Sequence, residues 1–214
     1  MELAGQCFLF LIAGYETSAS TLQFALFALT TNPTAQEEAY REIMEVVGHK
    51  EIVTYKDLSD MHYLEQIMME TLRMYPPAPR FDRECSSPIT VNHIHFEQNS
   101  IVSIPVFAIH YNPKIYPNPH KFDPMRFTRE AVTERNRLAF IPFGYGPRNC
   151  LGRRFAVFEF KLTLTYLIRT YQFIPTNETP VRSSSRTEYG RDDTTSETDN
   201  NTSRKEIELK SRYE

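Results

Sequence analysis

A glycine-rich loop that ends in a cysteine, directly before a long helical segment, constrains the fold of this chain most. The loop reads Phe143-Gly144-Tyr145-Gly146-Pro147-Arg148-Asn149-Cys150-Leu151-Gly152. Two glycines and a proline predict a tight, rigid turn, and the pattern after it predicts a helix from about Arg153 to Thr170. The sulfur of Cys150 should then lie near the positive end of the helix dipole, which favours the thiolate.

The residues beside Cys150 suit a flat partner that carries negative charge. Gly152 has no side chain, so a flat cofactor could approach the backbone closely. Arg148 could pair with a carboxylate of that cofactor. These features together point to haem with a cysteine axial ligand. A buried free cysteine beside a glycine turn is the ordinary alternative, but the whole pattern Phe-Gly-x-Gly-x-Arg-x-Cys-x-Gly arises by chance at only about one in 10⁸ positions.

This loop resembles the haem-binding signature of the cytochrome P450 family and matches it at every defining position. The resemblance runs from about residue 3 to 175. It implies a mainly α fold with small β-sheets, the C-terminal half of the cytochrome P450 fold with the N-terminal half missing. It also implies haem b, with Cys150 as the metal ligand and the following residues around the cofactor: Phe143, Gly144, Gly146, Arg148 and Gly152.

A second motif is a pair of opposite charges on a predicted helix from about Asp60 to Tyr75. Glu70 and Arg73 lie three residues apart, so their side chains face each other. Such a pair is usually a surface ion pair of little value, but the apolar residues around it indicate burial. The resemblance implies a structural triad in which Arg126 is the third member and fixes the proline-rich coil beneath the haem.

The first helix is predicted over residues 3–29, and it is apolar almost all round, which is typical of a helix buried in a larger protein. Its apolar run from Cys7 to Tyr15 is too short to span a bilayer and has no basic residues before it. We therefore expect a buried core helix. Because such a helix opens the chain, an N-terminal half is expected to be missing.

Part of that helix resembles the oxygen-activation segment of the family. It implies four catalytic residues, namely Ala13, Gly14, Glu16 and Thr17. Thr17 can donate a hydrogen bond to the carbonyl of Ala13, four residues earlier, and Gly14 leaves room for dioxygen. The Thr17 hydroxyl and the Glu16 carboxylate could relay protons.

Three further assignments also come from the resemblance. Arg83 resembles a haem-propionate arginine of one branch of the family, and a solvated arginine is the ordinary alternative. In the same alignment, residues 77–81 would line the substrate pocket. His110 lies in a His-x-x-Pro stretch and is expected to be structural.

The chain divides into three parts. The resemblance implies that residues 1–180 form the cytochrome P450 C-terminal region. Residues 181–204 are polar and predict a disordered loop, and residues 205–214 predict an edge strand and the C-terminus. Within the first part we expect a helix from Pro33 with Asn32 as N-cap, short strands in 88–107, and a proline-stiffened coil in 111–127.

Charge and cysteine content exclude some function classes. The net charge of -3 favours no nucleic-acid partner, and three widely spaced cysteines favour neither a disulfide framework nor a zinc site. The resemblance implies a haem-thiolate monooxygenase of the microsomal branch, at the cytosolic face of the endoplasmic reticulum through an N-terminal anchor. Its implied partners are dioxygen, a small apolar substrate, and NADPH-cytochrome P450 reductase. A truncated non-catalytic fragment and a peroxide-rearranging haem isomerase are the alternatives.

Overall fold

The computed structural model of the chain describes residues 2–179 and 207–212, and α-helices account for half of them. The helices are α1 (Glu2–Thr31), α2 (Pro33–Val46), α3 (Tyr55–Asp60), α4 (His62–Met74), α5 (Val106–His110), α6 (Arg129–Glu134) and α7 (Arg153–Thr170). Short 3-10 helices cover Pro124–Phe127 and Arg137–Ala139. The prediction of a mainly α fold with small β-sheets is confirmed.

The β structure of the described residues consists of three antiparallel strand pairs. The strands are β1 (Phe81–Glu84), β2 (Ile89–Val91), β3 (Ile94–Phe96), β4 (Ile101–Ile104), β5 (Tyr171–Pro175) and β6 (Ile207–Ser211). β1 pairs with β4, β2 with β3, and β5 with β6. Strands were predicted in 88–107, but β1 was not, because its sequence Phe-Asp-Arg-Glu is short and mostly charged.

The main core lies where α7 crosses α1, α2 and α4. Each helix contributes apolar residues at spacings of three and four, which is the pattern that buries one helical face. Fully buried members are Ala25 and Leu29 on α1, Ile43 on α2, Leu64 and Ile67 on α4, and Leu164 and Ile168 on α7. This packing fixes α7, and with it the loop that precedes α7, against the long first helix.

The N-terminal half of α1 differs from the predicted buried helix. Residues 3–17 are all exposed, and Phe8 and Phe10 keep 64% and 62% of their accessible surface. Burial begins at Thr21, since α2, α4, α7 and β5 pack against the second half. The helix was predicted correctly, but its burial was wrong for residues 3–17 because no described element covers them. Neither α1 nor any other described helix has the combined length and apolarity needed to cross a bilayer.

The structure has two helices, α3 and α4, where a single helix was predicted. A single helix from about Asp60 was expected, but Met61 is extended and separates α3 from α4. α3 begins with a capping box in which Thr54 and Asp57 bond to each other's backbone N–H. The first turn of α4 is instead capped from another helix, by the carboxylate of Glu42 on α2.

Two side-chain contacts connect the β5–β6 strand pair to α2. Gln36 is buried and bonds to both the N–H and the carbonyl of Phe173 on β5, at 2.8 and 3.0 Å. Arg212 lies 3.8 Å from the ring centroid of Tyr40. β6 lies within residues 205–214, where an edge strand was predicted, whereas the loop predicted at 181–204 falls outside the described residues. Asn32 occupies the N-cap position of α2 as predicted, but its side-chain amide donates to the carbonyl of Ala28 in the last turn of α1 at 2.8 Å and makes no capping bond to α2.

Candidate functional site

The loop before α7 is folded back on itself by backbone hydrogen bonds. The N–H of Gly144 donates to the carbonyl of Ile141 at 3.0 Å, and the N–H of Cys150 donates to the carbonyl of Phe143 at 2.8 Å. Gly144 and Gly146 have φ angles of 73° and 84°, in the left-handed region that residues with a Cβ rarely adopt. The two glycines are therefore required by the turn, which supports the prediction of a tight loop.

The thiol of Cys150 stands exposed at the start of α7. Cys150 is a free cysteine, and Gly152 occupies the N-cap position of α7. A Cβ built on Gly152 meets no atom within 4 Å, so the backbone is open to a close approach there. Leu151 and Phe155, which flank the thiol, keep 85% and 69% of their surface. An exposed sulfur beside an open backbone and apolar side chains fits one face of a flat, apolar cofactor such as haem.

The other predicted cofactor residues of the loop differ in their surroundings. Phe143 is half-buried, packs against the main core and has the guanidinium of Arg153 5.6 Å from its ring centroid. Arg148 is exposed, and within the described residues it has no hydrogen-bond or ion-pair partner. The Arg148 side chain is thus available to an anionic group from outside these residues.

The two charged residues of α4 form a fully buried pair. Nε and Nη2 of Arg73 donate to the two carboxylate oxygens of Glu70 at 2.7 and 2.8 Å, and both side chains have no accessible surface. The backbone N–H of Asp123 donates to the same carboxylate at 2.9 Å. Burial raises the pKa of Glu70, while the bonds from Arg73 and Asp123 act in the opposite direction.

Arg126 is the third charge at this pair. Its Nε lies 3.5 Å from Oε1 of Glu70, without the geometry of a hydrogen bond, and its Nη2 donates to the carbonyl of Asn118 at 3.0 Å. The three residues predicted as a triad are therefore brought together, with Arg73 as the close partner and Arg126 as the distant one. They join α4 to the proline-rich coil.

A chain of hydrogen bonds runs from this pair to the cysteine loop. Nη1 of Arg73 donates to the carbonyl of His110 at 3.1 Å, and Nε2 of His110 accepts from the N–H of Ile141 at 3.2 Å. The carbonyl of Ile141 in turn accepts from Gly144 in the loop. Burial lowers the pKa of His110 to about 4, so its ring is neutral near pH 7 and Nε2 can accept.

The predicted oxygen-activation segment lies on the exposed half of α1. The hydroxyl of Thr17 donates to the carbonyl of Ala13 at 2.6 Å, as the spacing predicted. An added Cβ at Gly14 meets no atom within 4 Å, so the space beside it is open. Glu16 is exposed as well. The segment is connected to the cysteine side of the site through Ser18, which donates to Glu159 of α7 at 2.7 Å.

Arg83 makes local contacts within the described residues. It lies on β1, where its Nη1 donates to the carbonyl of Asp82 at 2.9 Å and its guanidinium lies 4.7 Å from the ring centroid of Phe81. The structure therefore does not join Arg83 to the cysteine loop.

Cys150 lines neither of two cavities among the described residues. The larger, about 690 Å³, lies between α5, α6 and the short helix at Arg137–Ala139. The smaller, about 370 Å³, is lined in part by His62, Gln66 and Arg153. Cys150 is exposed instead, as are residues 145–149 of the loop.

Comparison with known proteins decides the family. The family model described as Cytochrome P450 matches residues 1–194, most of the chain. The chain belongs to the cytochrome P450 family. The resemblance stated from its motifs is thereby confirmed.

The curated cytochrome P450 relatives include several from mammals. The chain is 40% identical over 181 residues to cytochrome P450 3A31 of Mesocricetus auratus, and 40% identical to cytochrome P450 3A11 of Mus musculus. It is 38% identical to cytochrome P450 3A28 of Bos taurus. Each match covers 85% of this chain and 36% of the relative, so the chain spans about a third of their length.

Several contacts of the site were not found from the sequence. These are the Asp123 N–H on Glu70, the rings of Tyr111 and Tyr116 within 5.6 and 5.3 Å of the Arg73 guanidinium, and the Ser18–Glu159 bond. All four contacts join residues at least 38 positions apart, so local spacing carries no signal for them. For His110, the His-x-x-Pro stretch did indicate a structural role.

Proposed function

We propose that this chain forms the haem-thiolate part of a monooxygenase. The enzyme inserts one oxygen atom of dioxygen into a small apolar substrate and takes electrons from NADPH through NADPH-cytochrome P450 reductase. The observation that carries the proposal is the free thiol of Cys150, held on a rigid turn at the start of α7 beside an open backbone. When bound, haem b would supply the activation of dioxygen.

On the cysteine side, the chain binds and orients the cofactor. Cys150 is the residue that would bind the haem iron, and its thiolate would supply electron density to the iron. Gly152 keeps the backbone clear for a flat ring, and Gly144 and Gly146 hold the turn. Arg148, which lacks a partner within the described residues, would pair with a haem carboxylate.

The α1 segment would handle protons. The Thr17 hydroxyl donates to the Ala13 carbonyl at 2.6 Å, which fixes the direction of its hydrogen and leaves its oxygen free to accept. Exposed Glu16 could deliver protons toward that oxygen through water. Gly14 leaves space beside Thr17 for dioxygen.

The Glu70–Arg73–Arg126 group has a structural role in this proposal. It ties α4 to the proline-rich coil, and the bonds from Arg73 through His110 to Ile141 continue to the cysteine turn. A rotation of that turn would have to break this buried network, which is costly because its charges would lose their partners. The network therefore keeps the thiol in one position.

Thr17 favours a monooxygenase over a peroxide-rearranging haem isomerase. An isomerase moves oxygen within a peroxide and needs no proton relay or reductase. Turnover of a lipid peroxide without NADPH would support the isomerase, whereas oxidation that requires both NADPH and reductase supports the monooxygenase. Arg83 would contact a haem propionate only if β1 lay close to the cofactor.

The exposed apolar residues of α1 keep a third interpretation open. A chain whose residues 3–17 are uncovered could hold haem weakly and act as a non-catalytic fragment. The test is the absorbance difference spectrum of the reduced protein with and without carbon monoxide. A band typical of thiolate-ligated haem supports the enzyme, and failure to take up haem supports the fragment.

The cellular site follows from the proposed electron source. A protein that receives electrons from a membrane-bound reductase would act at the cytosolic face of the endoplasmic reticulum. We infer an anchor outside the described residues for this placement. Fractionation of expressing cells, with the reductase as marker, tests it.

A further inference from the structure

The hydroxyl of Ser18 differs from every other Ser or Thr hydroxyl of α1. Five of the six donate to the carbonyl four residues earlier in the same helix, namely Thr17, Ser20, Thr21, Thr30 and Thr31. Ser18 instead donates to the carboxylate of Glu159 on α7, at 2.7 Å. A local bond to the carbonyl of Gly14 is the common choice for a helical serine. The Glu159 carboxylate therefore holds this hydroxyl away from it.

The bond lies at the end of the packed part of α1. Residues 3–17 are exposed, and burial begins at Thr21, one turn after Ser18 and on the same face. Within the described residues, Ser18 is the first residue of α1 that bonds to another helix. The catalytic candidate Thr17 directly precedes Ser18. The Ser18–Glu159 bond is therefore the nearest hydrogen bond that ties the backbone around Thr17 to another helix.

Glu159 belongs to the helix that starts at the proposed haem ligand. It lies about 9 Å along the α7 axis from Arg153, six residues earlier. The α7 backbone between them is a continuous helix, and the Ala156 N–H donates to the carbonyl of Gly152 at 2.9 Å. A shift of α7 against α1 would therefore move Cys150 and Thr17 relative to each other.

We propose that Ser18 and Glu159 are positioning residues, which hold the proton-handling segment of α1 in register with the thiolate end of α7. This inference rests on the proposed function. Without the Ser18–Glu159 bond, the Ser18 hydroxyl turns back to the Gly14 carbonyl, and residues 13–17 lose their hydrogen-bonded connection to α7. The reacting groups and the core packing of α1 on α7 remain intact, but the exposed turn that carries Thr17 is no longer tied to α7.

The test compares Ser18→Ala and Glu159→Leu with the unchanged protein, each as the intact haem-loaded protein. The first measurement is amide hydrogen exchange, which needs no turnover. A hydrogen bond to a charged acceptor is lost, so exchange of the amides in residues 10–17 is expected to be about tenfold faster. The second is product formed per NADPH oxidised, with a fluorogenic benzyl ether as apolar probe, and this ratio is expected to fall severalfold.

Ser20→Ala is the matched control, because Ser20 lies on the same helix and bonds only to the Glu16 carbonyl. It should change neither measurement. Glu159→Gln keeps an acceptor oxygen and should recover most of both values. The double variant Ser18→Ala/Glu159→Leu should lose no more than either single variant, because both remove one bond.

The outcomes separate this inference from the proposed function. Faster exchange in residues 10–17 together with a lower product ratio, at an unchanged thiolate-haem spectrum, supports it. Exchange or a product ratio equal to those of Ser20→Ala overturns it and leaves the monooxygenase proposal intact. If the unchanged protein gives no thiolate-haem spectrum, the proposed function fails, and the positioning role fails with it.

Discussion

Glu70 and Arg73 meet through two parallel hydrogen bonds, at 2.7 and 2.8 Å, in a place that solvent does not reach. Removing one partner leaves the other charge buried and uncompensated. We therefore expect Glu70→Ala to lower the free energy of unfolding by about 3–5 kcal/mol and to prevent stable haem incorporation. Denaturant unfolding and haem content of the purified protein measure the two effects.

A matched pair on the surface provides the control. Glu38 and Arg41 on α2 also lie three residues apart and bond at 2.8 Å, but their side chains are 43% and 65% exposed. Glu38→Ala should lower the free energy of unfolding by no more than about 1 kcal/mol and leave haem content unchanged. Equal losses in the two variants would show that burial does not make the Glu70 pair important.

The pKa of His110 predicts how stability depends on pH. Burial lowers this pKa to about 4, against an ordinary value of 6.5. Between these values the unfolded chain binds a proton that the folded chain does not, so the free energy of unfolding falls as the pH drops from 6.5 to 4. The loss from this residue alone is about 3 kcal/mol across the window.

His110→Gln isolates this contribution, since glutamine keeps an acceptor for the Ile141 N–H but does not titrate. Its unfolding free energy should fall less between pH 7 and 4 than that of the unchanged protein. His95→Gln, on the exposed β2–β3 hairpin, is the control and should leave the slope as it was. If the unfolding free energy of His110→Gln fell with pH as steeply as that of the unchanged protein, the buried neutral state of His110 would be disproved.

The hydroxyl of Thr17 should matter for proton delivery and not for haem binding. Thr17→Ala is expected to lower the product formed per NADPH oxidised by at least about tenfold, because NADPH is then consumed without productive oxygen transfer. The thiolate-haem spectrum should stay the same. Thr17→Ser keeps a hydroxyl that can reach the Ala13 carbonyl and should retain most of the ratio. Full retention in Thr17→Ala would exclude the relay.

The spectrum itself should depend on one cysteine. Cys150→Ala is expected to abolish the thiolate-haem band completely, because no other side chain stands at the start of α7 with a ligating sulfur. Cys7→Ala and Cys85→Ala remove the other free thiols, on α1 and after β1. Both should keep the band, and its survival in Cys150→Ala would refute the ligand assignment.

Local rules predicted the elements whose ends are marked in the sequence. α7 follows the glycine turn and runs from Arg153 to Thr170, as predicted. The Glu70–Arg73 contact also followed from helical spacing. Both depend on residues close together in the chain, where geometry has few alternatives.

The features that were missed depend on distant residues. The separation of α3 from α4 at Met61 is stabilised by Glu42, whose carboxylate accepts the N–H groups of Tyr63 and Leu64 at 2.6 and 2.9 Å. A cap supplied by another helix leaves no local signature. The burial of α1 was also misjudged for residues 3–17, because composition indicates an apolar surface but not whether another element covers it.

The last strand pair has a consequence for how this protein can diverge. Pro175 on β5 is paired with Ile207 on β6, so two points 32 residues apart are held together by the backbone ladder. The entropic free-energy cost of joining two such points grows only with the logarithm of the number of residues between them, by about 0.6 kcal/mol per doubling. Relatives could therefore lengthen, shorten or rewrite that interval during evolution while the thiol and its helix stay where they are.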